Sequence, residues 1–174
     1  MPLAALFNHK SRAAVQALYG AIVAAARDPA FYANWGVPDT LDGRFELIAL
    51  HAFLALRRLK QADDSAAFAQ ALFDTMFADL DRNLREMGVG DLSVGRQVKT
   101  MAKAFYGRIV AYERGLAGDD SLDDALRRNL YGTASPSAAQ VATAAAYTRR
   151  QAQALDATPI SQLLAGEFPL VQDG

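Results

Sequence analysis

With 174 residues, of which 52% are hydrophobic and none is cysteine, the chain is long enough for one self-sufficient core and carries no disulfide framework, thiolate nucleophile or thiolate metal site. Eighteen basic residues against nineteen acidic leave a formal charge of -1, which argues against a globally basic nucleic-acid binder, DNA included, and directs attention to local patches. Alanine is prominent and β-branched residues are sparse, so propensity favours helix throughout.

The expected fold is all-α: a single compact helical domain over 1–174, of about six to eight helices, with its core in about 10–166 and a loose tail in 167–174. At the N-terminus, MPLAALFNHKSR has a very short apolar run with its charges after it, the reverse of a secretory signal. The first helix is expected over about 10–27, with Val15, Leu18, Tyr19, Ile22 and Val23 at helical spacing. FYANWGVPDTLDGRF, residues 31–45, mixes aromatics with Gly36, Pro38 and Asp42-Gly43 and reads as a helical turn followed by a structured loop.

The helix after it, about 44–61, is apolar on nearly every side and is the expected centre of the core. Its most apolar part, Phe45 to Leu56, falls short of the ~20 residues that span a bilayer. A third helix, about 65–87, puts Phe68, Leu72, Met76, Phe77, Leu80, Leu84 and Met87 on one face, with pairs Asp81–Arg85 and Arg82–Glu86 spaced for ion pairing. GVGD breaks the chain, and Asp91 or Ser93 is placed to cap a fourth helix reaching about residue 116. Ser121 and Gly132 bracket a short helix, Ser135-Pro136 opens one to about 155, and Thr158-Pro159 opens a last one that stops at Gly166.

Three constellations could carry function. The first is GVGDLSVGRQVK, whose glycines suggest a phosphate loop. Ser93 stands where the dinucleotide fingerprint needs its third glycine, and Arg96-Gln97 replace the Lys-Ser/Thr of a P-loop. Both loops also need a preceding strand, so these glycines read as a helix end and turn.

In the helix that follows, Val94, Val98, Met101, Phe105, Ile109, Tyr112 and Leu116 share the core face, while Arg96, Lys99, Lys103 and Arg114 share an opposite arc of about 60°, with Arg108 nearer the boundary. Five basic residues against one acidic residue, Glu113, give residues 92–114 a local balance of +4. Gly107 opens the backbone on this face beside Tyr106, although a mid-helix glycine costs about 1 kcal/mol relative to alanine. A solvated face is the plain reading; a docking face for an anionic or polar partner, made by Arg96, Lys99, Lys103, Tyr106, Gly107, Arg108 and Arg114, is the functional one.

The second constellation, DDSLDD at 119–124, contains a D-D-x-x-D spacing that can share a divalent cation and hold a diphosphate, which keeps open a helical enzyme acting through Asp119 to Asp124. Ser121 as an N-cap with Asp123 and Asp124 in a first turn explains it better. The third is His51, which on a core helix reads as hydrogen-bonded packing. No catalytic set, metal-ligand motif or cofactor signature stands out, so no catalytic residue, metal or cofactor is expected. A second candidate surface is the aromatic loop Phe31, Tyr32, Trp35 and Asp39; its aromatics are expected to pin it to the core, whereas an exposed Trp35 would make an apolar membrane or client contact.

FYANWGVPDTLDGRFELIALHAFLALRRL (31–59), FADLDRNLREMGVGDLSVGRQVKTMAKAFYGRIVAYERGL (77–116) and LRRNLYG (126–132) resemble the ubiquinol-cytochrome c chaperone family, most strongly in residues 85–108. The resemblance implies a non-enzymatic assembly factor for respiratory complex III that acts on newly made cytochrome b. In mitochondrial relatives a small partner protein and the ribosome are also implied. Without a transit peptide ahead of the first helix, the resemblance implies a bacterial member in the cytoplasm or peripheral to the inner membrane. It supplies no site residues; the basic face rests on the helical arithmetic alone. An RNA- or ribosome-contacting module is a further reading of the same basic helix.

Overall fold

The computed structural model describes residues 9–171, and within them the chain forms eight α-helices and no strand. They are α1 His9–Ala26, α2 Pro29–Ala33, α3 Leu41–Lys60, α4 Ala66–Glu86, α5 Asp91–Ala117, α6 Leu122–Asn129, α7 Ala138–Asp156 and α8 Ile160–Leu164. The expected helices all form, with ends shifted by a few residues. Residues 1–8, which carry the short apolar run expected to be the reverse of a secretory signal, lie outside the described residues.

Side-chain caps set the starts of four helices, α2, α3, α6 and α7. Asp28 accepts from the Ala30 amide and Pro29 begins α2, so the chain turns sharply after α1. Thr40 accepts from the Gly43 amide and starts α3 earlier than expected; the glycine is required because a Cβ there would lie 1.9 Å from the Pro38 carbonyl oxygen. Ser137, not Ser135, caps α7, closing a capping box in which the Gln140 side chain accepts from the Ser137 amide. At α5 neither Asp91 nor Ser93 is the cap: Gly90 takes that position without a side-chain bond, and Asp91 pairs with Arg85.

α3 is the centre, in contact with α1, α4, α7 and α8. Twelve of its 20 residues are buried. α4 and α5 form an antiparallel hairpin, and α5 then leads to α6, which packs on α7. Only Val94, Phe105, Tyr112 and Gly115 are buried among the 27 residues of α5, so this long helix lies along the edge of the fold with much of its circumference in solvent. Val98, Met101, Ile109 and Leu116, expected in the core, are partly buried against it.

Two expectations are corrected. The tail is held as far as Val171: Phe168 is buried, and the Gln151 amide side chain donates to the Pro169 carbonyl and accepts from the Val171 amide. On α4, Asp81 does pair with Arg85, but Arg82 pairs with Asp79 rather than Glu86, because Asp79 is already fixed by the Tyr19 hydroxyl.

Candidate interaction surface on α5

The outward face of α5 follows from its sequence. Between Asp91 and Glu113 the helix has no acidic residue, so its cations have no neighbour one turn away to neutralise them. Arg96, Lys99 and Lys103 are exposed and have no ion-pair partner among the described residues. Leu92, Tyr106 and Val110 are 87%, 58% and 57% exposed. All six fall within an arc of about 80° at 100° per residue, so cations and apolar side chains form one straight ridge. Gly107 sits in the open on this ridge, with nothing within 4 Å of where its Cβ would be.

At the Tyr106 end the ridge borders a hollow of about 500 Å³ between α3, α4 and α5, floored by Phe53, Ala69, Phe73 and Ile109 and edged by Lys60 and Glu113. Tyr106 lies against Phe73, ring centroids 5.5 Å apart, which fixes one face of its ring and leaves the other to solvent. α1, α2, α3 and the end of α4 enclose a larger groove of about 1020 Å³, lined among others by Tyr32, Phe45, Ile48 and Leu80 and, at the corner leading to α5, by Glu86 and Met87.

Two residues assigned to the basic face do other work. Arg108 turns inward: its Nε donates to Glu46 Oε2 at 2.6 Å and its Nη2 to Glu46 Oε1, leaving its side chain only 17% exposed. At 100° per residue it lies about 120° from the nearest of the other basic residues and about 20° from Met101, on the core side of α5, where the buried carboxylate of α3 needs a partner. Desolvation raises the Glu46 carboxyl above its usual value while Arg108 opposes that rise. Arg114 stays exposed but pairs with Asp120, so its charge is already matched.

The aromatic loop is pinned to the core as its aromatics led one to expect, so Phe31 and Trp35 offer no surface. Phe31 and Trp35 are buried, in a cluster with Tyr147 and His51 in which the Phe31 and Trp35 rings are 4.3 Å apart. Tyr32 is half-buried at the large groove, and Asp39 is exposed and paired with Arg44. His51 is packing: its Nδ1 bonds the Leu47 carbonyl, which can only accept, so Nε2 accepts from the Tyr147 hydroxyl. Burial lowers its pKa to about 4. In the aspartate cluster Ser121 caps α6 by accepting from the Asp124 amide, and Asp120 goes to Arg114. Among the described residues no three His, Cys, Asp or Glu side chains converge to hold a metal ion.

Leu92 and Val110 were the parts of this face that sequence reading missed, although the arithmetic that placed the cations places them as well. The hollow had no such signal, because it depends on how α3 and α4 meet α5.

An all-helical scaffold with an exposed, uncompensated basic ridge defines a binding protein in form. The chain matches the Ubiquinol-cytochrome C chaperone family over residues 33–171 and belongs to that family, which is one of assembly chaperones and not of enzymes. It is 29% identical over 148 residues to the ubiquinol-cytochrome-c reductase complex assembly factor 1 of Xenopus laevis, covering 82% of this chain and 74% of that protein. The Homo sapiens factor of that name is 29% identical over the same length, and there the match covers 50% of the relative. The fold is similar to the crystal structure of the Cbp3 homolog from Brucella abortus, with a TM-score of 0.83, 37% identity, and 94% and 92% of the two chains covered. No helix among the described residues is long and apolar enough to cross a membrane.

Proposed function

We propose that this chain is a non-enzymatic assembly chaperone for ubiquinol-cytochrome c reductase, that its client is newly made cytochrome b, and that the client contact is the outward face of α5. Family membership supports the first part. The observation that carries the contact is the row Arg96, Lys99 and Lys103, without an ion-pair partner among the described residues, whereas the other four cations of α4 and α5, Arg82, Arg85, Arg108 and Arg114, are each paired. A client segment with acidic residues or free carbonyl groups at a helix end would pair with this row through charge-assisted hydrogen bonds. One apolar side chain of the same segment would enter the hollow beside Tyr106, while Gly107, on the other flank of the ridge, leaves room there for close approach.

A small partner protein and the ribosome belong to the proposal as what the family resemblance implies, as does action from the bacterial cytoplasm at the inner face of the membrane. The test is deletion of the gene in a host that makes this reductase, with cytochrome b level and complex III activity measured in its membranes. Both should fall and be restored by plasmid-borne protein. Unchanged levels in a strain with no second member of the family would overturn the reading.

A further inference from the structure

Three buried polar groups have no hydrogen-bond partner among the described residues: Trp35 Nε1, Tyr112 Oη and Tyr131 Oη. Trp35 is shut inside the aromatic cluster. The one charge acting on the Tyr131 hydroxyl is that of Arg127, a guanidinium that accepts no hydrogen bond. Tyr112 is placed differently. It stands one turn beyond Arg108 on α5, and a helical side chain leans toward the helix N-terminus, so its ring leans back toward the Arg108–Glu46 pair. Burial raises the pKa of its hydroxyl, the Glu46 charge raises it further, and Arg108 opposes both.

α5 reaches α3 through side chains. Tyr112 lies against Phe53, ring centroids 5.5 Å apart, and Arg108 forks onto both oxygens of Glu46. Arg108 keeps 17% of its side chain exposed, and its neighbours about one turn away on α5, Ala104 and Ala111, are small, so its own helix does not bar an outward swing. A swing that left Glu46 bare would strand a buried carboxylate. A hydroxyl that then donates to it removes much of that penalty, since a hydrogen bond to a charged group favours the open position by about tenfold or more.

We propose that Glu46, Arg108 and Tyr112 form a two-position latch between α3 and α5. In the closed position Arg108 holds Glu46 and the Tyr112 hydroxyl is idle; in the open position Arg108 turns to solvent and Tyr112 donates to Glu46. Tyr112 is thus a positioning residue, a tyrosine where phenylalanine would fill the same space without an unpartnered hydroxyl. Only Val94, Phe105, Tyr112 and Gly115 of α5 are buried, so opening releases the edge helix from one of few ties, and it can shift on α3 without unfolding. The latch belongs to the free chain and does not depend on the chaperone reading.

Phenylglyoxal, which adds to free guanidinium groups, reads the open position in the full chain, with the modified arginines located by peptide mass spectrometry. Arg96, exposed and without an ion-pair partner among the described residues, is the internal reference. Arg108 should be modified more slowly than Arg96 in the parent. Tyr112→Phe should lower the ratio of the two rates about tenfold, and should change the folding equilibrium constant by no more than about threefold because the hydroxyl is idle in the closed position. Glu46→Gln should raise the ratio. A double-mutant cycle gives the second reading: in an Arg108→Ala background, where the hydroxyl holds Glu46, Tyr112→Phe should lower the folding equilibrium constant about tenfold. An unchanged rate ratio in Tyr112→Phe, no modification of Arg108 in the parent, or equal effects of Tyr112→Phe with and without Arg108 would each overturn the latch.

Discussion

Arg108 of α5 closes two hydrogen bonds on Glu46 of α3 across 62 positions of sequence, and this pair ties the exposed edge helix to the central one. Glu46 is buried and Arg108 nearly so, so removing one partner strands a charge away from water. Arg108→Ala should therefore destabilise the fold by about 3 kcal/mol, read from chemical denaturation, and Arg108→Lys should recover only part of this because it cannot bond both oxygens. An Arg108→Ala protein as stable as the parent would make the arginine a surface residue after all.

Arg108 also shows what the sequence could and could not disclose. Helix existence, the central place of α3 and the basic stripe were legible because each depends on spacing within one segment. Spacing alone already puts Arg108 beside Met101 at the core side of α5, but that Glu46 is buried opposite it depends on how α3 meets α5, which no single segment discloses. Trp35 is the converse case: an aromatic loop next to Pro38 and glycines leaves packing and exposure open until Tyr147, more than a hundred residues later, is placed against it. The Tyr106 hollow, built by three helices, was not legible at all.

His51 gives the fold a defined response to acid. Its pKa is lowered to about 4 by burial, below the ordinary value of 6.5, so the unfolded chain takes up the proton first as pH falls. The stability it contributes is complete above pH 6.5 and is lost between there and pH 4, a loss of roughly 3 kcal/mol. Urea midpoints measured across this range should fall, and the fall should flatten in His51→Gln, whatever that variant's stability at neutral pH.

Two glycines of α5 should behave in opposite ways. Gly107 lies in open space, so Gly107→Ala should raise the thermal midpoint by an amount equivalent to about 1 kcal/mol, the helix-propensity difference. Gly115 is buried where α5 meets α6, and a Cβ there would lie 2.9 Å from the Leu122 Cα, a backbone atom that cannot rotate away. Gly115→Ala should cost about 1 to 3 kcal/mol. If Gly107→Ala stabilises the protein and also weakens cytochrome b capture, the glycine serves close approach of a client.

The client contact itself rests on charge at positions where the fold asks for none. Arg96, Lys99 and Lys103 make no ion pair among the described residues, so replacing all three by glutamate should change stability by no more than about 0.5 kcal/mol per site. The helical circular dichroism should be that of the parent, while co-purification of newly made cytochrome b should fall at least tenfold and complex III activity should not be restored in the deletion strain. Capture that survives in the folded triple variant would move the client elsewhere, and the groove of about 1020 Å³ between α1, α3 and α4 would be the next surface to mutate, beginning with Ile48→Glu at its apolar wall.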